Sequence, residues 1–123
     1  MKAIAEIWRI LRPGGEIYVE VPFLQPYHSS PDDYYRTTQE GLKFWMKDFK
    51  EIKTGICVGP GSTVAWIIIE YVRLWFQNLP IFGVIIEVFV RIAVHPLKYL
   101  DQFIIKKRET HITASAVYFH GKK

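Results

Sequence analysis

Apolar residues at the start of the chain fall at helical spacing. Ile4, Ile7, Trp8 and Leu11 sit at i, i+3, i+4 and i+7 and predict a short helix with one apolar stripe. Pro13 ends it, because the residue before a proline avoids helical angles, and Gly14-Gly15 allow a tight turn. Ile17, Val19 and Val21 then alternate with Tyr18 and Glu20 as far as Pro22, the period of a strand. A second apolar stripe, Leu42, Trp45, Met46 and Phe49, predicts a second helix. Thr37-Thr-Gln-Glu40 before it fits a capping box in which the Thr37 hydroxyl accepts from the Glu40 amide. Residues 51–58 alternate through Ile52, Ile56 and Val58 and predict a second strand, ended by Gly59-Pro-Gly61.

The pattern then changes. Over residues 64–77 the polar positions are Glu70, Arg73 and Gln77; over 81–95 the non-apolar line is Gly83, Glu87, Arg91 and His95. Each segment predicts a helix with one narrow polar line and an apolar surface around the rest, far wider than the roughly 100° of an ordinary surface helix. Pro80 and Pro96 suit first helical positions, so a third, shorter helix is expected over 97–105. Lys106-Lys107-Arg108 suits a helix carboxyl terminus. Residues 110–120 predict a third strand. The coarse order is α-β-α-β-(ααα)-β, an α/β class.

The chain has 123 residues, 50% of them hydrophobic, which allows one domain and excludes a disordered chain. Its net charge of +4 falls short of a nucleic-acid arm, so no nucleic-acid partner is expected. One cysteine, Cys57, excludes an internal disulfide framework and a cysteine-built zinc site. It makes a reducing, cytoplasmic location the simplest inference, and in a predicted strand it reads as an inert buried residue. The amino terminus does not have the pattern of a signal peptide. No stretch reaches about 18 residues without charge or proline, so a simple spanning helix is not expected.

The loop over residues 23–38 concentrates the candidate chemistry: Phe23, Tyr27, His28, Asp32, Asp33, Tyr34, Tyr35 and Arg36. An imidazole titrates near neutrality, so His28 is the candidate general base; its other reading is a histidine that only hydrogen-bonds the loop. Asp33 and Arg36 are spaced for a local ion pair, and Arg36 has a second use as a bidentate clamp on an acidic or phosphate-bearing ligand. Tyr27, Tyr34 and Tyr35 either line a sugar or apolar pocket or cover the end of the sheet. Asp32, Asp33 and His28 are a weak signal for a metal, and no metal is expected.

Leu11-Arg-Pro-Gly-Gly15 between a helix and a strand resembles the turn that leads into the fifth strand of class I S-adenosylmethionine-dependent methyltransferases. The preceding Ala5-Glu6-Ile7-Trp8-Arg9-Ile10, and the run from Val21-Pro-Phe-Leu-Gln-Pro-Tyr-His28 through Pro31-Asp-Asp-Tyr-Tyr-Arg36 to Glu40-Gly-Leu42, are similar to the methyltransferase type 11 subgroup. Ala114-Ser-Ala-Val-Tyr-Phe119 suits that family's last strand. The resemblance implies a partial Rossmann-like sheet made of the family's last three strands, with the final strand between the other two and antiparallel to both, and a free edge on the first. It also implies S-adenosylmethionine as cofactor. The family's glycine-rich loop after its first strand and the acid ending its second have no counterpart here, and Gly59-Pro-Gly61 has the wrong spacing for a dinucleotide fingerprint. The chain thus resembles the carboxyl-terminal, acceptor-side half of a methyltransferase, residues 1–123 forming one partial domain. Cofactor binding is expected to depend on a missing amino-terminal half or a homodimer. Within that frame Phe23, Tyr27, Asp33, Tyr34 and Arg36 are the expected substrate-binding residues, with His28 as base.

Residues 62–108 form an inserted helical segment with three readings. It is a cap that packs on the sheet and on itself, a surface for a partner chain, or a contact with a membrane interface in which Arg73, Arg91, Lys98 and Lys106 approach headgroups. Glu70 and Glu87 are then tolerated only on the polar line. A non-enzymatic module that binds a membrane or partner through these helices is the alternative to the enzyme.

Overall fold

A computed structural model describes residues 2–28 and 32–123. It is a mixed α/β chain in the order α1 (Lys2–Ile10), β1 (Glu16–Pro22), α2 (Gln39–Trp45), β2 (Lys50–Val58), α3 (Pro60–Phe76), α4 (Pro80–Ile104), a 3-10 turn (Thr110–Ile112) and β3 (Ala116–Lys122). The three strands form one sheet in the order β1-β3-β2. β3 is antiparallel to both neighbours, with Val19 opposite Phe119 and Ile56 opposite Val117. β1 and β2 therefore run in the same direction, and their carboxyl ends, Pro22 and Val58, both meet Ala116.

One face of the sheet is covered. Ile17, Val117 and Phe119 are buried there against Leu42, Met46 and Phe49, with Ile4, Ile7, Trp8 and Leu11 of α1 closing over them. Both predicted apolar stripes thus end in one core, and Trp8 meets Phe49 edge-on at 4.8 Å. The other face carries Tyr18, stacked on Tyr118 at 5.4 Å, and His120, which meets Glu16 at 3.0 Å. Tyr18 is exposed, and its phenol donates to Glu20 at 2.8 Å. That bond and the partial loss of water hold its proton, pushing its pKa up to about 12.

The chain ends knit α1 to the sheet. Gly14 adopts the left-handed backbone (φ 76°) in the turn between α1 and β1, a conformation a Cβ disfavours. Its amide donates to the Lys123 carbonyl at 3.1 Å. The Lys123 ammonium donates to the free carbonyls of Trp8 and Leu11 at the end of α1 and lies 5.1 Å from the Trp8 ring centre.

Four local expectations are corrected. The cap of α2 is Thr38, whose hydroxyl accepts from the Gly41 amide at 3.0 Å; the Thr37 amide is instead tied to the Pro22 carbonyl. Residues 81–95 and 97–105 are not two helices. α4 runs unbroken for 25 residues with Pro96 inside it, because the ring at an exposed position costs one backbone bond without meeting a neighbouring element. α4 is accordingly long and apolar enough, by length and composition, to cross a membrane. The last strand starts at Ala116, since residues 110–112 close a 3-10 turn in which the Thr110 hydroxyl donates to the Ile104 and Lys107 carbonyls. Finally, Cys57 is half-buried rather than buried; burial, with the charge of Glu20 adding to it, pushes its thiol pKa up.

Candidate functional site

The loop after β1 and the start of α3 after β2 leave the sheet at the same edge, the carboxyl ends of two parallel strands. Phe23 continues the ladder by donating its amide to Ser115 at 2.9 Å, and Ser115 donates to Val58 at 2.9 Å. In open α/β sheets this edge is where ligands sit.

The loop is organised around one ion pair. Asp33, its side chain 8% exposed, is bonded to the Arg36 guanidinium. Arg36 also donates to the Gln25 carbonyl and, at 2.9 Å, to the Pro26 carbonyl. Asp33 further accepts from the His28 amide at 3.4 Å. The guanidinium beside it, with that amide, holds the Asp33 carboxyl below its usual range. Arg36 thus has its donors directed into the loop and is not free to clamp a ligand without giving up those partners.

His28 is half exposed. Its Nδ1 lies 3.3 Å from the Pro26 carbonyl and 3.9 Å from the Asp33 carboxylate. Its ring stands 5.3 Å from Trp66 of α3. Among the described residues its Nε2 has no hydrogen-bond partner, so this nitrogen is the one placed to take or give a proton.

An open cleft of about 460 Å³ is lined by Pro22, His28, Asp32, Asp33, Tyr34 and Tyr35. It gathers His28, Asp33 and Tyr34 of the expected site residues. Tyr34 donates to Asp32 at 2.9 Å, and Tyr35 meets Trp45 edge-on at 6.3 Å. Phe23, Tyr27 and Arg36 do not line it: Phe23 is half-buried, Tyr27 is exposed, and Arg36 is the internal brace. Residues 29–31, including Pro31 of the run that resembles the family, lie outside the described residues. Among the described residues no group of three His, Cys, Asp or Glu side chains could hold a metal ion.

Two residues were not picked out by the spacing. Trp66 reaches the site from a helix 38 positions away, and a contact that distant leaves no trace in local periodicity. Asp101, from α4, accepts the Gly61 amide at 2.6 Å and the Ser62 amide at 3.0 Å. The signal for it was indirect: Gly59, the residue that opens α3, has no side chain with which to cap the helix.

Comparison with protein-family models, with curated proteins and with solved structures finds no match to this chain.

Proposed function

We propose that this chain is the acceptor-side, carboxyl-terminal part of an S-adenosylmethionine-dependent methyltransferase. The observation that carries the reading is the cleft at the carboxyl end of β1, lined by the loop that follows it, with His28 Nε2, unpartnered among the described residues, at its side. The order β1-β3-β2 with an antiparallel central strand supports it, since this is the arrangement the resemblance implies. The bare sheet face around Tyr18 and Tyr118 and the free edge of β1 are where further strands and helices of such a sheet would pack.

The described residues do not by themselves fit S-adenosylmethionine. The glycine-flanked helix start, α3, already has its Gly61 and Ser62 amides on Asp101, so they are not open to a cofactor anion. Within the proposal this chain contributes the acceptor cleft. Tyr34 and Tyr35 offer aromatic surface to an apolar or sugar-bearing acceptor, and His28 Nε2 holds the proton the acceptor gives up.

The test is isothermal titration of S-adenosylhomocysteine into this chain alone, and then together with a polypeptide encoded beside it that carries a glycine-rich loop and an acidic strand end. Binding only by the combination is expected, with methyl transfer reduced by His28→Ala. Micromolar binding by the chain alone, or binding by the other polypeptide unchanged by this chain, overturns the proposal.

A further inference from the structure

α3 and α4 pack chiefly on each other, not on the sheet. The wide apolar surface of the segment, for which a cap, a partner surface and a membrane contact are the three readings, is left largely in the open: only 6% of the most apolar window of α4 is buried. How that surface is arranged identifies what it meets.

In α4 the less exposed positions Gly83, Val90, Val94, Leu97 and Asp101 mark the seam with α3. The seam is tight, since a Cβ on Gly61 would lie 2.1 Å from the Leu97 carbonyl oxygen. Beside it Glu87, Arg91, His95 and Lys98 form a polar stripe at spacings of four and three. In α3 the matching stripe is Glu70, Arg73 and Gln77. Arg73, Gln77, Gly83 and Glu87 line one small cleft of about 130 Å³, so the two stripes share one side of the hairpin. On the other side Tyr71, Leu74 and Trp75 of α3, and Ile85, Phe89 and Ile92 of α4, are exposed. At about 100° per residue the exposed apolar arc of α4 covers roughly 140°. The hairpin is a two-helix board, polar on one side and apolar on the other.

Its charges are unequal in a useful way. Glu70 is paired with Arg73 at 3.4 Å, Glu87 with Arg91 at 2.7 Å, and Asp101 is taken by the α3 amides. Lys106, Lys107 and Arg108, beyond the end of α4, are exposed and have no carboxylate partner among the described residues, with Glu109 the single acid beside them.

We infer that the apolar side of the α3–α4 hairpin lies in the surface of an anionic lipid bilayer, with the cations at its base on the headgroups. Aromatic rings and basic side chains around a flat apolar face suit that interface. The hairpin of a second copy offers the same apolar face, but its own carboxylates, Glu70, Glu87 and Asp101, are already taken, so charge complementarity selects the lipid. A spanning arrangement would carry Glu87 and Arg91, midway along α4, into hydrocarbon at a cost of several kcal/mol; lying flat leaves the stripe in water. The inference holds whether or not the chain acts on a methyl acceptor.

The experiment is flotation of the full chain with phosphatidylcholine vesicles, with and without about 30 mol% phosphatidylserine, a level that attracts basic segments. The native chain is expected to float with the anionic vesicles and to be released by high salt. Phe89→Glu and Trp75→Glu, at positions 68% and 71% exposed, should lower partitioning about tenfold or more while circular dichroism keeps the native helix content. Phe44→Glu, equally exposed on α2, should float as the native chain does. Replacing Lys106, Lys107 and Arg108 by glutamine leaves the apolar face intact and should abolish the preference for phosphatidylserine. Flotation unchanged by Phe89→Glu and Trp75→Glu, or lost equally with Phe44→Glu, overturns the inference. So does a native chain that stays unbound and forms a dimer that Phe89→Glu dissociates.

Discussion

The Asp101 carboxylate accepts the Gly61 amide at 2.6 Å across forty residues of sequence, so the first turn of α3 is capped by a residue of α4. A helix start leaves its first amides without partners, and Gly59, which opens α3, supplies no side-chain bond. Asp101 also accepts from the Ser62 amide and hydroxyl. Its negative charge lies at the positive end of the helix dipole, the favourable sign. One buried side chain thus joins the ends of the hairpin that are nearest the sheet.

Asp101→Ala removes the cap and leaves those amides buried, and is expected to cost about 1–3 kcal/mol. Asp101→Asn keeps the shape and one acceptor oxygen and should cost less. Urea unfolding followed by circular dichroism makes the comparison. If Asp101→Ala unfolds at the native midpoint, the cap contributes nothing.

Gly61→Ala tests the same junction from the other side. The added Cβ would stand 2.1 Å from the Leu97 carbonyl oxygen and 2.9 Å from Asp101, and neither a helix backbone nor a bonded carboxylate gives way easily. The expected loss is about 1–3 kcal/mol, against a gain in helix propensity of at most about 1 kcal/mol. A higher melting temperature for Gly61→Ala would mean that the two helices are not held this close.

The alternation of Ile17, Val19 and Val21 and the two apolar stripes were legible in the sequence because local spacing decides which residues face the sheet, although α2 stops at Trp45 and Met46 and Phe49 reach the core from beyond its end. The join at residue 96 was not. A proline mark for a helix start and one inside a long helix read alike, and only the open surroundings of Pro96 let the helix pass through. Thr37 and Thr38 are equally good caps by type, and the tie of the Thr37 amide to Pro22 selects Thr38. In the site, His28, Asp33 and Tyr34 were legible from their chemistry in one short loop. That Arg36 turns inward to Gln25 and Pro26, and that Trp66 arrives from α3, depends on the path of the chain between them. The polar lines of both helices were legible, but not that they share one side.

The Asp33–Arg36 pair sets a pH dependence in the loop. The carboxyl is held below its ordinary value of 3.8, first by the Arg36 guanidinium. Its contribution is therefore full above the unfolded value and is lost as pH falls through the lower folded one. Arg36→Ala should return the Asp33 titration, followed by NMR, toward the ordinary value. It should also free the Gln25 and Pro26 carbonyls and broaden the resonances of residues 23–28. A titration unchanged by Arg36→Ala would assign the shift to the His28 amide instead.

Pro96 lies at an exposed position inside α4, where its ring removes one backbone bond and crowds the preceding turn. Proline in a helix interior costs about 3 kcal/mol relative to alanine. Part of that is offset, because proline also restricts the unfolded chain. Pro96→Ala should therefore raise stability by about 1–3 kcal/mol, read from the urea midpoint, with unchanged helix content. The sign is informative. A continuous α4 gains from alanine, whereas a chain in which Pro96 opened a separate helix would lose a favoured first-turn residue and become less stable.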